Sequence, residues 1–181
     1  MKKKALLAAV ILAAAVASPA QIPEAAEETA VQVKEVSPFA YCCIHKKASF
    51  TEIEKTIGEL WMHMQKQSIM PTGAMFGIYY SDPETTAAED LEWEVAFPVT
   101  DIATPLAPLE KKAWEYALVA STIHTGPYQE TGTSYARVFE WISANGYEQA
   151  GPVLERYLTI PGPDVNPEDM KAEIWVPVVK K

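Results

Sequence analysis

The feature that most constrains this chain is that one half of it repeats the other. A shift of 79 residues, without a gap, lays Ile44-His45 on Ile123-His124, Glu89-Asp90 on Glu168-Asp169, Glu94 on Glu173 and Pro98-Val99 on Pro177-Val178. Seven identities are a thin signal alone; the order of elements carries more weight. In the first half, residues 31–44 are rich in β-branched and aromatic side chains and read as a strand bent near Pro38. Ser49 and Glu52 have capping-box spacing, after which Ile53, Ile57, Leu60, Trp61 and Met64 recur at helical intervals. Pro71-Thr72-Gly73 ends that element, and residues 75–80 and 91–99 read as strands joined by an acidic loop.

The second half runs in the same order. Residues 116–125 read as a strand closed by the Gly126-Pro127 turn. Tyr135, Val138, Phe139 and Ile142 share one helix face, stopped by Asn145-Gly146. Residues 153–159 and 172–178 are the closing strands. Residues 100–112, with Pro105 and Pro108 and no periodicity, read as a linker. Neither half is large enough to bury its helix and sheet alone. The expectation is therefore one α+β domain over residues 31–181. It would consist of two tandem strand–helix–strand–strand repeats, 31–99 and 113–178, related by a pseudo-twofold. The sheets would be antiparallel, with the helices on one side and a central ligand cleft.

The N-terminus reads differently. Lys2, Lys3 and Lys4 precede an unbroken apolar run over residues 5–17, short of the about 20 residues that span a bilayer. Ser18-Pro19-Ala20 offers small residues for cleavage after Ala20. The expectation is a signal peptide (1–20), a flexible acidic lead-in (21–30), and a periplasmic or secreted protein without a stable membrane anchor. Loss of the three lysines takes the formal net charge from −9 to −12. Such a charge argues against nucleic acid as a partner, because phosphate binding needs a basic stripe, and leaves a neutral or cationic partner open. The only cysteines, Cys42 and Cys43, are adjacent and would point to opposite faces of a strand. Two buried thiols and a strained vicinal disulfide both remain open. No Cys or His cluster has zinc spacing, so neither a metal nor a cofactor is expected.

Strand alternation sorts the faces. Val95, Phe97 and Val99, with Ile174, Val176 and Val178, are wholly apolar and should pack under the helices. The opposite face would carry Glu94, Ala96 and Pro98 in one half and Glu173, Trp175 and Pro177 in the other. In the neighbouring strand Glu155, Tyr157 and Thr159 alternate together, matched under the shift by Phe76, Ile78 and Tyr80. A carboxylate among aromatic rings attracts a delocalised organic cation, each ring adding about 0.5–2 kcal/mol. The competing reading is a Glu155 that faces water or pairs with Arg137.

The second half resembles the GyrI-like small-molecule-binding family, also called AraC-type effector-binding domains. The resemblance rests on His124-Thr125-Gly126-Pro127-Tyr128, Tyr135, Trp141, Asn145-Gly146, Gly151-Pro152, Glu155-Arg156-Tyr157 and Glu173-Ile174-Trp175-Val176-Pro177-Val178. It implies two repeats around a cleft, with Glu155 in that cleft as the contact for cationic or polyaromatic ligands. Tyr157, Trp175, Glu173, Phe76 and Ile78 follow from strand parity, then Tyr41 and Tyr116 at the ends of the first strands. Helix-turn-helix fusion and gyrase inhibition, found among members of that family, are not carried over. Two rival functions accompany the binding module. One is a hydrolase of cyclopropane-type reactive compounds using Glu155 or Glu173, as the resemblance to some members implies; no nucleophile–base set supports it. The other is haem binding, as in the related SOUL proteins, with His45 and His124 as equivalent positions.

Overall fold

The structure, a computed structural model, describes residues 30–181. The expected signal peptide and nearly all of the lead-in lie outside the described residues. The chain forms β1 (Gln32–Glu35), β2 (Phe39–Lys47), α1 (Ile53–Lys66), β3 (Phe76–Tyr79), β4 (Glu92–Pro98) and β5 (Glu110–Trp114). There follow β6 (Leu118–Thr125), α2 (Gly132–Ala144), β7 (Tyr147–Gln149), β8 (Val153–Tyr157) and β9 (Lys171–Lys180). This is a mixed α+β fold with an antiparallel sheet and two helices.

The strand order is β1-β6-β9-β8-β3-β4-β2-β5, with β7 beside the end of β9. The two ends of that order meet. β1 pairs with β6 as far as Glu35 opposite Leu118, and β2 pairs with β5 starting at Phe39 opposite Trp114. Three residues lie between these pairs on each side, so the two ladders keep one register. The amide of Val36 donates to the carbonyl of Ala117 at 2.8 Å and carries the ladder toward the bend. The stretch expected as one strand bent near Pro38 is thus interrupted into β1 and β2, and 110–125 is interrupted opposite it. Because each bent stretch belongs to both ends, the sheet closes on itself as a barrel, although β1 pairs only with β6 and β5 only with β2.

Closure divides the side chains into an inside and a helix side. Inside, Tyr41, Cys43, Phe76, Ile78, Ala96, Trp114, Val119, Leu154 and Trp175 form one buried cluster. Trp114 and Trp175, from strands distant in the order, come to 6.4 Å between ring centroids. On the other surface α1 covers Cys42, Ile44, Trp93, Val95 and Val99, and α2 covers Ala120, Ile174, Val176 and Val178. Val95, Phe97, Val99 and Ile174, Val176, Val178 pack under the helices as expected. Cys42 and Cys43 are free, buried thiols on opposite faces. Burial of one large apolar side chain stabilises by about 1.5–3 kcal/mol, so three clusters are ample for a domain of this size.

Several local expectations are corrected. Ser49 caps a single 3-10 turn, its Oγ accepting from the Thr51 amide, and α1 begins only after Glu52; the capping box does not form. Thr56, Leu60 and Met64 are the buried residues of α1, while Trp61 is 43% exposed and packs at the helix edge against Phe97. The aperiodic stretch 100–112 contains most of β5. Finally, the ungapped shift of 79 does not preserve faces throughout. It does between β4 and β9, where Glu94 and Glu173 both point inside. His45, however, points inside to Glu94, whereas His124 lies on the helix side against Ser134. Phe76 is inside, and Glu155, its partner under the shift, is not.

Candidate functional site

Register decides where the expected site residues fall. In β8, Leu154 pairs with Trp175 and Arg156 with Glu173, so these share the inside face. Glu155 pairs with Ile174 on one side and with Gly77 on the other, which puts it on the helix side. Tyr157, two residues on, shares its face. The expectation that Glu155 and Tyr157 share a wall with Trp175, Glu173, Phe76 and Ile78 is therefore corrected: the two sets lie on opposite surfaces of one sheet. Tyr41 belongs with the inside set, and Tyr116 lies at the barrel mouth next to Trp114, at 4.9 Å between rings.

On the helix side, Glu155 is 4% exposed beside α2. The Tyr135 hydroxyl, from the first turns of α2, donates to Glu155 Oε2 at 3.1 Å. Tyr79 and Tyr157 share a hydrogen bond between their hydroxyls at 2.7 Å. Tyr128 stacks edge-on against Tyr157 at 5.0 Å, and Phe50 against Tyr79 at 5.5 Å. Gly77 makes this possible: a Cβ there would lie 2.8 Å from the Tyr79 hydroxyl oxygen. The ring of Tyr79 thus folds over a residue with no side chain, directly opposite Glu155. Burial pushes the Glu155 carboxyl up to about 7, and the Tyr135 hydroxyl pulls the other way without offsetting it. Burial, then the negative charge of Glu155, likewise raise Tyr79 and Tyr135.

The local sequence explains how α2 is held over this spot. Gly126 adopts φ +132°, a conformation that favours glycine, and turns the chain out of β6. His124 then ties the turn to the helix, with Nδ1 3.1 Å from the Ser134 hydroxyl and Nε2 3.1 Å from the Pro127 carbonyl. The Tyr128 hydroxyl donates to the carbonyls of Thr159 and, at 3.2 Å, Lys171. Tyr135 is consequently delivered above Glu155. Gly77, Tyr79, Tyr128 and Tyr135 are the site residues that sequence reasoning missed. For Gly77 and Tyr79 the signal was the aromatic–glycine alternation of β3, read against β8 rather than against the 79-residue shift.

The inside carboxylates are answered differently. Glu94 is fully buried and accepts from the Lys112 ammonium, from Tyr80 at 3.0 Å, and faces His45 Nδ1 at 3.0 Å. Burial alone would push its carboxyl up, but the bonds from Lys112 and His45 outweigh it and hold it below the usual range. Glu173 is paired with Lys34 and with Arg156, the latter at 3.1 Å. It too is held low: burial opposes ionisation, and the Lys34 hydrogen bond prevails. Lys34 and Arg156 also sit over the Trp175 ring at 4.4 and 5.0 Å, so cations of the chain itself already occupy that ring. At the mouth a cavity of about 310 Å³ is lined by Tyr41, Ile78, Tyr80, Trp114, Tyr116 and Pro152 among others.

Both ring nitrogens of His45 face carboxylates, and both of His124 face oxygen partners. Neither imidazole could ligate haem iron without breaking such a contact. Among the described residues, no group of three His, Cys, Asp or Glu is arranged to hold a metal ion.

Comparison with solved structures gives the same architecture. The chain is similar to EcmrR in its DNA complex, with a TM-score of 0.74 and 18% identity over 83% of this chain. It spans only 57% of that protein's length. It is similar to a hydrolase from Listeria innocua, with a TM-score of 0.63 and 17% identity over 85% of this chain and 94% of the other. It is also similar to SAV2435 bound to tetraphenylphosphonium, with a TM-score of 0.54 and 13% identity over 82% and 93% of the two chains. No curated protein sequence matches it significantly. The family profile of the GyrI-like small molecule binding domain matches residues 29–179. Sheet, helices and sequence profile agree, and the chain belongs to the GyrI-like small-molecule-binding domain family.

Proposed function

We propose that this protein binds amphipathic aromatic cations at the sheet surface beside α2, with Glu155 as the counter-charge. The observation that carries the reading is a buried carboxylate that accepts from the Tyr135 hydroxyl, with Tyr79, Tyr128 and Tyr157 close enough for its charge to raise them. A group poised near neutrality is held as the acid while the site is shut and ionises when a cation arrives. The rings then supply area and cation–π attraction. Tetraphenylphosphonium bound to SAV2435 is a precedent for a lipophilic cation on this fold. Export accompanies the proposal: the lysine-led apolar segment before Ala20 favours a binder outside the cytoplasmic membrane.

The proposal includes the pseudo-twofold between the halves. Its support is the matched pair of clamps, with Lys112 on Glu94 in one half and Lys34 on Glu173 in the other. Each lysine comes from the strand at one end of the sheet order, β5 or β1.

Calorimetric titration with tetraphenylphosphonium tests the reading. Glu155→Gln should weaken binding at least tenfold at pH 8, while Glu94→Gln keeps it within a few-fold. Affinity in the unmutated protein should rise with pH through about 7, as the Glu155 carboxyl ionises. Equal affinity in Glu155→Gln would defeat the assignment. A hydrolase is the second reading, favoured by the same near-neutral carboxyl beside tyrosine hydroxyls, which suits general acid–base work on water. Turnover of a cyclopropane-type alkylating compound, lost in Glu155→Gln, would establish it; stoichiometric binding without product would remove it.

A further inference from the structure

We infer that the rim of the sheet at which β3 begins and β4 and β8 end docks, shallowly and reversibly, on an electrically neutral phospholipid bilayer. Three stretches make up that rim: residues 67–75 before β3, 98–109 at the end of β4, and 158–163 after β8. They are stitched together. The Thr72 amide donates to the Pro98 carbonyl at 2.8 Å, and the Tyr157 amide to the Met75 carbonyl at 3.0 Å. The Gln67 side chain engages both backbone groups of Leu106, donating to its carbonyl at 2.9 Å and accepting from its amide at 2.7 Å. From this fixed frame Met70, Ile102, Leu106 and Ile160 project at 73%, 87%, 72% and 84% exposure, and Leu158 is also exposed. The three stretches hold one charged side chain, Asp101, in a chain that is 22% charged. Apolar surface of this kind, gathered at one place, marks an interaction face.

The backbone of the rim suits contact with hydrocarbon. Lipid offers no partner to a bare N–H or C=O. Six residues of the three stretches are prolines, which bring no N–H. The amides of Ala103, Leu106 and Leu109 are bonded within the loop or to Gln67, and the carbonyls of Asp101 and Leu106 accept from Lys111 and Gln67. Charge decides between lipid and a second copy of the chain. With a formal net charge of −9, two copies repel each other and an anionic membrane repels both, whereas a zwitterionic surface has no net charge to oppose the contact. Loop side chains reach only the boundary between headgroups and acyl chains, so the docking is peripheral. It does not depend on what Glu155 binds. Thr159, next to Ile160, takes the Tyr128 hydroxyl on its carbonyl, so a docked rim lies beside the Glu155 site.

The test uses the full chain with dioleoylphosphatidylcholine vesicles and a nitrobenzoxadiazole label on Thr104→Cys, between Ile102 and Leu106. Cys42 and Cys43 are buried, which directs the label to the new thiol. Emission should shift to the blue when vesicles are added, and lipid brominated in its acyl chains should quench it. The same label on Glu84→Cys, an exposed position past the opposite end of β3, should show neither change. An apolar N-terminus held in the bilayer would bring both labels to the surface without burying either. Adding Leu106→Ser and Ile160→Ser to Thr104→Cys should cut the quenching at least fivefold, and the exposure of both side chains spares the fold. Docking should persist between about 0.05 and 0.5 M salt, a range over which screening strengthens greatly. No shift with Thr104→Cys, an equal shift with Glu84→Cys, or full quenching in the serine variant would overturn the inference. Docking confined to low salt would overturn it too, as would a blue shift that appears without vesicles and grows with protein concentration, since a second copy would then cover the rim.

Discussion

Glu155 and Glu94 are the same residue type, both buried in the same sheet, and they end in opposite states. Glu94 sits inside the barrel with an ammonium, an imidazole and a phenol on its carboxylate, and is held ionised. Glu155 sits on the helix side with a tyrosine hydroxyl on its carboxylate, and burial lifts it to about 7. Depth does not distinguish them; what answers the charge does. A clamped carboxylate is part of the scaffold. One poised near neutrality can still change state when something charged approaches, which is why the binding proposal rests on Glu155 and not on Glu94 or Glu173.

The sharpest way to break this comparison is to unclamp Glu94. Lys112→Met leaves a buried carboxylate with only His45 and Tyr80 for support. Stripping one partner from a buried pair costs about 3–5 kcal/mol, and the partial exposure of Lys112 favours the lower end. Urea unfolding should therefore show a loss of about 3 kcal/mol at unchanged slope. A loss no greater than that of Lys34→Met would mean the clamp is ornamental.

The next effect is the pH dependence set by Glu155. Its folded value lies above the ordinary 4.5, so the folded protein keeps a proton that the unfolded chain has released. The contribution of this group is fully present below pH 4.5 and is lost as pH rises through about 7. The loss amounts to about 3 kcal/mol by linkage. In Glu155→Gln that fall should vanish from the stability profile between pH 5 and 8 of an otherwise identical titration. A profile that keeps its fall would move the titrating group elsewhere.

Tyr135→Phe removes the hydroxyl that partly favours the Glu155 carboxylate. The midpoint of the pH profile should move upward, with a stability loss of about 1 kcal/mol above pH 8. An unmoved midpoint would separate Tyr135 from the titration. The smallest effect belongs to Lys34→Met, below about 1 kcal/mol, because Arg156 and the Ser121 hydroxyl stay on Glu173 and water reaches the pair.

Much of the fold was legible in the residues. Apolar alternation in 91–99 and 172–178 located β4 and β9 and assigned their helix faces correctly, because the rows these two strands turn to the helices are apolar throughout. The helical spacing of Tyr135, Val138 and Ile142 likewise placed α2. What failed was the step from one strand to its neighbour. The 79-residue shift set Glu155 against Phe76, but pairing sets Glu155 against Gly77 and Arg156 against Phe76. With a side-chain period of two, a one-residue slip exchanges the faces of the whole strand. That slip separated Trp175, Phe76, Ile78 and Tyr41 from Glu155. The clamps on Glu94 and Glu173 were equally hidden, since Lys112 lay in a stretch without periodicity and Lys34 in a strand segment with no visible partner.

By itself, then, the sequence determined both helices and most of the strands, though not β5 or β7, which rows of β4 and β9 are apolar, and that a carboxylate sits two residues from a tyrosine in a family of small-molecule binders. Only the tertiary structure decided that the bent stretches 32–47 and 110–125 pair along one register and close the sheet. Closure turned one face into a barrel interior, where lysines from β1 and β5 neutralise Glu94 and Glu173. It left Glu155 on the other face, under α2, with tyrosine hydroxyls for company. The physical reason is that periodicity is a property of one strand, whereas register and the sign of the nearest charge are properties of its neighbours.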